Sequence, residues 1–198
     1  MGLTSGPDFG LAAVVLAAGG SRRFGSPKQL LRVGGVTLVE RAARLAAGCC
    51  PGRVVVVTGA AAEDVALALA AEPVVIANNP GWESGLASSL LCGIRALPAG
   101  SQACLVLLAD QAAVGQGDIE RLRDAWRRNP EVPAAASYAG ARGAPAILPA
   151  SAWPALHSLG GDSGARALLA SLGQLSAVAM PAAQFDIDTP ADLERLTR

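Results

Sequence analysis

Lys28 is the only lysine in a chain with sixteen basic residues. Arginine serves everywhere else, so a position that keeps a compact ammonium on a flexible stem points to a site that needs one. Just upstream, Ala12 to Leu16 is an apolar run short enough for one buried strand. It empties into Ala17-Ala18-Gly19-Gly20, four residues with almost no side chain. Ser21, Arg22 and Arg23 follow, then a turn at Gly25 and Pro27-Lys28. Backbone N–H groups of such a loop can point at a ligand, and the cations beside them make that ligand an anion, best a polyphosphate.

Two familiar phosphate loops do not fit. Gly20 and Gly25 have the gap of a P-loop, but Ser26-Pro27 stand where Lys-Ser/Thr is required. Gly19-Gly20 with Arg22-Arg23 behind them do not give the Gly-x-Gly-x-x-Gly of a dinucleotide site. An isolated Gly-Gly-Ser flanked by arginines is more often a solvated surface turn; the solitary lysine shifts the balance toward a phosphate site.

The carboxylates come later. Asp110 follows the apolar run Cys104 to Leu108, so it sits where a strand ends. There it could hold Mg²⁺ against phosphate oxygens or cap a turn, and a basic loop on the same sheet edge favours the metal. Mg²⁺ takes few protein carboxylates, so sparse acids are no obstacle. Of Asp186 and Asp188, Asp186 is expected to face the metal and Asp188 to brace the turn before the last helix. Arg142, in Arg142-Gly143-Ala144-Pro145, is a basic turn or an ordinary loop. Arg166 lies in the first turn of an expected helix, where a cation is unfavourable, so an anion ligand and a plain capped helix are equal readings.

Positioning these residues requires a particular frame. Apolar runs at Ala12–Leu16, Val54–Thr58, Val74–Ile76 and Cys104–Leu108 alternate with helical patterns at Thr37–Ala47, Ala61–Ala71, Gly85–Leu97 and Asp118–Asn129. Further β segments are expected at Ala134–Tyr138, Ala144–Leu148 and Leu175–Met180, and helices at Ser151–Leu156, Gly164–Leu172 and after Thr189-Pro190. The alternation predicts an α/β sandwich with a mostly parallel sheet, which places ligands off the carboxyl ends of the strands. The loop at Ala17–Lys28, the polar turn at Asn78–Trp82 and Asp110-Gln111 all fall there.

Composition bounds the rest. At 198 residues with 52% hydrophobic and 16% charged residues and zero formal net charge, one domain with a large core is expected. Met1 to Phe9 reads as a flexible tail before a domain over 10–198. The charge balance and few aromatics argue against nucleic-acid partners. No apolar run reaches the ~18–20 residues of a membrane span, and no secretory leader is visible, so a cytoplasmic protein is expected. Cys49, Cys50, Cys92 and Cys104 read as reduced, buried small residues, and the lone His157 as a surface or packing residue rather than a base.

Several segments together resemble one family. LAAGGSRRFGSPKQLL at Leu16–Leu31 is similar to the nucleotide loop of the MobA-like nucleotidyltransferases. NPGWESGLASSL at Asn79–Leu90, LLADQ at Leu107–Gln111, RGAP, GDSGAR and DIDTPADL at Asp186–Leu193 match in order. Within the family the residues look most like molybdenum cofactor cytidylyltransferases. The resemblance implies a single, three-layer Rossmann-like domain and Mg²⁺-dependent transfer of CMP from CTP to the terminal phosphate of molybdopterin. It also implies a molybdenum hydroxylase of the xanthine dehydrogenase type as partner. In the family a LAAG tetrad goes with CTP and LAGG with GTP; here it is Leu16-Ala17-Ala18-Gly19. Carried over, Leu16 to Arg23, Lys28 and Asn79 would bind the nucleotide, with Lys28, Arg22 and Asp110 catalytic and Asp110 with Asp186 on the metal. Trp82, Ser88, Ser89, Arg142, Arg166 and Asp188 would face the acceptor. The chain departs from the family pattern at Ala87, Leu91, Ala112 and Ala144, all on that side. Alternatives are another phosphorylated acceptor, a non-catalytic cofactor carrier and an oxidoreductase.

Overall fold

The computed structural model describes residues 10–21, 24–158, 169, 174–187 and 192. Its centre is a seven-stranded sheet. The strands are β1 (Leu11–Leu16), β4 (Val54–Thr58), β5 (Val75–Asn78), β6 (Ala103–Leu108), β7 (Ala134–Tyr138), β8 (Ala141–Pro149) and β9 (Ser176–Ala179), in the order β5-β4-β1-β6-β8-β7-β9. Every strand runs parallel except β8, which is antiparallel to both neighbours. The expected sheet is therefore present with one reversed strand. The two-residue turn between β7 and β8 makes the reversal: Ala139 and Gly140 have φ of 47° and 74°, the left-handed pair that closes a tight hairpin.

The β-branched runs are strands because both their faces are covered. Along β1 and β4, Ala13, Val15, Val54 and Val56 point into one core, and Val14, Leu16, Val55 and Val57 into the other. Helices α1 (Leu38–Cys49) and α4 (Gln116–Arg127) cover the first face, and α3 (Leu86–Arg95) the second. α3 sits close because of Gly93: a Cβ there would meet Val14 Cγ1 at 2.5 Å. The short α2 (Ala62–Ala68) lies beside β4 and ends three residues before the expected Ala71.

α1 begins where its sequence says it should. Thr37 is the N-cap: its hydroxyl accepts the Glu40 N–H at 3.2 Å, and Glu40 Oε2 accepts the Thr37 N–H at 2.9 Å. The helix runs two residues past the expected Ala47, through Gly48 to Cys49, and at Gly48 it packs closely on the Gln116 carboxamide. Before it, Arg32–Val33 (β2) and Val36–Thr37 (β3) pair around Gly34-Gly35, whose φ values of 60° and 84° make a tight hairpin in place of a plain turn. The helix expected at Ser151–Leu156 is instead a 3-10 run, Ala150–Ser158, with Pro154 inside it, which removes an α-helical donor. Met1–Phe9, Gly164–Leu172 and Thr189-Pro190, expected as a tail and two helices, lie outside the described residues, apart from Leu169, which is helical and buried. Cys50 and Cys104 are buried as expected, whereas Cys49 and Cys92 are half-buried; all four thiols are free, and His157 is exposed. No described helix is long and apolar enough to cross a membrane.

Candidate nucleotide and metal site

The sheet places its switch point between β1 and β6. From β1 the chain moves outward to β4 and β5, then crosses back to β6 on the other side. Adjacent strands whose connections leave in opposite directions open a crevice at their carboxyl ends. Leu16 and Leu108 are register partners there, so the loop after Leu16 and the turn after Leu108 face each other.

Across that crevice Lys28 Nζ meets Asp110 Oδ2 at 2.5 Å, with each side chain 19% exposed. Lys28 opens a 3-10 turn, Lys28–Leu30, which returns the chain under the small-residue loop. Ser21, at φ 48°, makes the bend; its Oγ accepts the Lys28 N–H at 3.0 Å. Asp110 is held by its backbone, since its carbonyl accepts the Ile187 N–H at 3.1 Å. Gln111, buried next to it, donates to the carbonyls of Ala144 and Ala183 at 3.0 and 2.9 Å. Those bonds tie the Asp110 turn to β8 and to the 3-10 turn Pro181–Gln184.

The loop itself is a row of amides. Ala17 N–H completes the β4 ladder on Val57 O at 2.9 Å, whereas the N–H groups of Ala18, Gly19 and Gly20 have no partner among the described residues. With Trp82, Glu83, Gly85, Leu86 and Ser89 these three residues line a cleft of about 280 Å³. Trp82 closes one wall. Its ring lies so near the loop that a Cβ on Gly20 would stand 2.8 Å from Cη2, and one on Gly59 would stand 2.6 Å from Ala18 O and 2.7 Å from Trp82 Cβ. Neither glycine has a positive φ, so both are required by space alone.

Asn79 braces the far wall. Its Nδ2 donates to Ser88 Oγ at 3.0 Å and Ser89 Oγ at 3.1 Å, and its Oδ1 accepts the Gly81 N–H at 3.0 Å. Ser88 Oγ donates on to Gly85 O at 2.8 Å. These partners hold the Asn79–Gly85 turn against α3. The residues assigned to the acceptor side thus divide: Trp82 and Ser89 share a cleft with the loop, while Arg142, exposed, pairs with Ser137 at the carboxyl end of β7 on the same rim. Asp186 is exposed and Ile187, next in sequence, is buried. Alternate residues of an extended segment share a face, so periodicity gives no ground for separate roles for Asp186 and Asp188. Asp188, Arg22, Arg23 and Arg166 lie outside the described residues.

Sequence reasoning assigned no role to Gln29 or Gly59. Gln29 stands directly behind the lysine in a segment that turns inward, and Gly59 directly after the buried run Val54–Thr58. A polar or small residue where the apolar pattern demands burial is the signal each carried.

Bare amides, an ammonium and a carboxylate at the switch point of a mostly parallel α/β sheet stand where such sheets bind nucleotides. The chain belongs to the MobA-like NTP transferase domain family, whose model matches residues 13–177. It is 38% identical over 170 residues to nicotine blue oxidoreductase of Paenarthrobacter nicotinovorans, covering 80% of this chain and 81% of that one. Purine catabolism protein PucB of Bacillus subtilis is 32% identical over 205 residues, covering 95% and 96%. Among solved structures, a nucleotidyl transferase from Methanothermobacter superposes with a TM-score of 0.80 at 25% identity, covering 96% of each chain. Rv0371c of Mycobacterium tuberculosis in complex with manganese superposes with a TM-score of 0.75 at 26% identity, covering 94% and 97%.

Proposed function

We propose that this chain transfers CMP from CTP to the terminal phosphate of molybdopterin and releases pyrophosphate. The observation that carries the reading is the contact between Lys28 and Asp110 at the switch point, on the same sheet edge as the three unpartnered amides. Had the two side chains stood at opposite ends of the strands, no single triphosphate could have touched both.

The chemistry asks for placement and charge neutralisation. An oxygen of the acceptor phosphate forms a bond to the α-phosphorus, and the bond from that phosphorus to the bridging oxygen breaks as pyrophosphate leaves. The attacking phosphate is already an anion, so no general base is needed. The amides of Ala18, Gly19 and Gly20 would take phosphate oxygens, and Lys28 would swing from Asp110 to the triphosphate.

Asp110 would suit a divalent cation: its carboxylate already faces a cation, the Lys28 ammonium, at 2.5 Å. Its oxygen donors, with those of Asp186 one residue from the amide that binds the Asp110 carbonyl, suit a hard ion such as Mg²⁺. The ion when bound supplies charge neutralisation on the phosphate oxygens. CTP is favoured over GTP by the tetrad Leu16-Ala17-Ala18-Gly19, in which Ala18, a residue of the cleft lining, stands where the GTP-type tetrad has glycine.

Pyrophosphate release is assayed with CTP or GTP, Mg²⁺ and molybdopterin. Turnover with GTP alone refutes the base assignment, and turnover with only a different phosphorylated acceptor refutes molybdopterin. Tight binding of finished cofactor without turnover would select a carrier. Lys28→Ala and Asp110→Asn should abolish turnover with the fold intact. A second reading, favoured by the name of the Paenarthrobacter relative, is an oxidoreductase. Oxidation of NADH or NADPH coupled to reduction of a conjugated dye, with no pyrophosphate formed, would select it.

A further inference from the structure

Gln29 is 3% exposed, and every polar atom of its carboxamide is engaged within the loop above it. Nε2 donates to Ala17 O at 2.9 Å and to Gly19 O at 2.5 Å. Oε1 accepts from Ser21 Oγ at 3.3 Å, and Ser21 Oγ accepts in turn from the Lys28 N–H. In a trans peptide the carbonyl of one residue and the N–H of the next point in opposite directions. Drawing the carbonyls of Ala17 and Gly19 down onto Gln29 therefore turns the N–H groups of Ala18 and Gly20 up and away from it. Ala18 O, between them, accepts from Ala60 N–H at 3.1 Å, which fixes the intervening peptide as well. The two amides aimed outward are among the three without partners, and their residues line the cleft.

We propose that Gln29 is a positioning residue for substrate binding: through the carbonyls of Ala17 and Gly19 it aims the amides of Ala18 and Gly20 at the oxygens of a nucleoside triphosphate. The inference rests on the nucleotidyl-transfer reading of the cleft. Only a carboxamide supplies two donors and an acceptor at one position. A glutamate there has no donor when ionised and sets a charge against two carbonyl oxygens.

The test uses inorganic tripolyphosphate and CTP, each with Mg²⁺, on the wild type and Gln29→Glu. Calorimetry gives affinities, and the amide resonances of ¹⁵N-labelled protein report on the loop. In the wild type the Ala18 and Gly20 resonances should move on adding tripolyphosphate. In Gln29→Glu at neutral pH both ligands should bind about tenfold or more weakly, the loss expected for one misdirected charge-assisted hydrogen bond. Measured below the lowered melting temperature that a buried charge brings, the nucleotide KM should rise with kcat largely kept, the mark of lost uniform binding. Equal affinity in Gln29→Glu, or ligand binding that leaves the Ala18 and Gly20 resonances of the wild type in place, overturns the role of Gln29 alone. A wild type that binds neither ligand overturns the transfer reading beneath it. Should Gln29→Glu not fold, the wild-type resonances decide.

Discussion

Removing the ammonium at Lys28 should make the protein bind a divalent cation more tightly when no nucleotide is present. Lys28 Nζ lies 2.5 Å from Asp110 Oδ2, and each side chain is only 19% exposed. At that distance and an effective dielectric of about 20 the gross attraction is about 6–7 kcal/mol. Desolvation of both groups cancels most of it, leaving a net of about 1–3 kcal/mol for a charge-assisted pair of this kind. A metal ion arriving alone at Asp110 must displace the ammonium and forfeit that net term. A triphosphate arriving with the metal gives the ammonium a new partner, so the penalty disappears. Titration of Mn²⁺ followed by electron paramagnetic resonance should therefore show Lys28→Met binding the ion roughly 5- to 150-fold more tightly than the wild type without nucleotide. With CTP present the order should reverse, because the variant lacks a phosphate ligand. Equal or weaker Mn²⁺ binding by nucleotide-free Lys28→Met would refute the idea that the ion pair occupies the metal position.

Three further outcomes are expected. Gly59→Ala would push a methyl to 2.6 Å from Ala18 O and 2.7 Å from Trp82 Cβ, and should lower stability by about 1–3 kcal/mol in urea denaturation; an unchanged midpoint would show that the loop and Trp82 yield freely. Thr37→Ala should cost about 0.5–2 kcal/mol. The Thr37 hydroxyl and then its amide hold the Glu40 carboxyl below its usual range, so the capping contribution is complete above that range and is lost as pH falls through the lowered value. The stability gap between wild type and Glu40→Gln should accordingly shrink in acid, and a gap that widens there would contradict the assignment. Cys49 should be the thiol that alkylates first near neutrality. Donation from the Cys50 thiol pulls it down to about 7, while the same contact, with burial, pushes Cys50 up. Mass spectrometry after iodoacetamide treatment checks this, and Cys50→Ala should move the rate profile to higher pH.

The frame was legible because burial on both faces leaves a strong mark. Val54–Thr58 and Ala134–Tyr138 match the expected spans, since a continuous apolar run has no competing reading once turn residues bound it. What the pattern could not give was direction. Ala144–Leu148 reads as a strand whichever way it runs, and only the positive φ of Ala139 and Gly140 turns it against its neighbours. The 3-10 run at Ala150–Ser158 was missed for a related reason. Its apolar residues satisfy a helical pattern, but Pro154 denies the α-helical bond.

The candidate site divides along the same line. Charged groups at strand ends announce themselves: Lys28 by its rarity, Asp110 by following five apolar residues. The residues that shape the backbone do not, because their partners, carbonyls for Gln29 and distant hydroxyls for Asn79, are not paired with them by any spacing in the sequence. Gln29 and Asn79 each join groups across ten or more residues or across a turn, through bonds that any fold could demand of any amide side chain. The arrangement nevertheless follows one rule. Three amide side chains beneath the rim use their donors on the chain that forms it: Gln29 on Ala17 and Gly19, Asn79 on Ser88 and Ser89, Gln111 on Ala144 and Ala183. A charge placed there would have bound the ligand itself and left the loop slack. Neutral amides below and charges above separate shaping the cleft from filling it, so the amides of Ala18 and Gly20 face the cleft already oriented and with no internal bond to break.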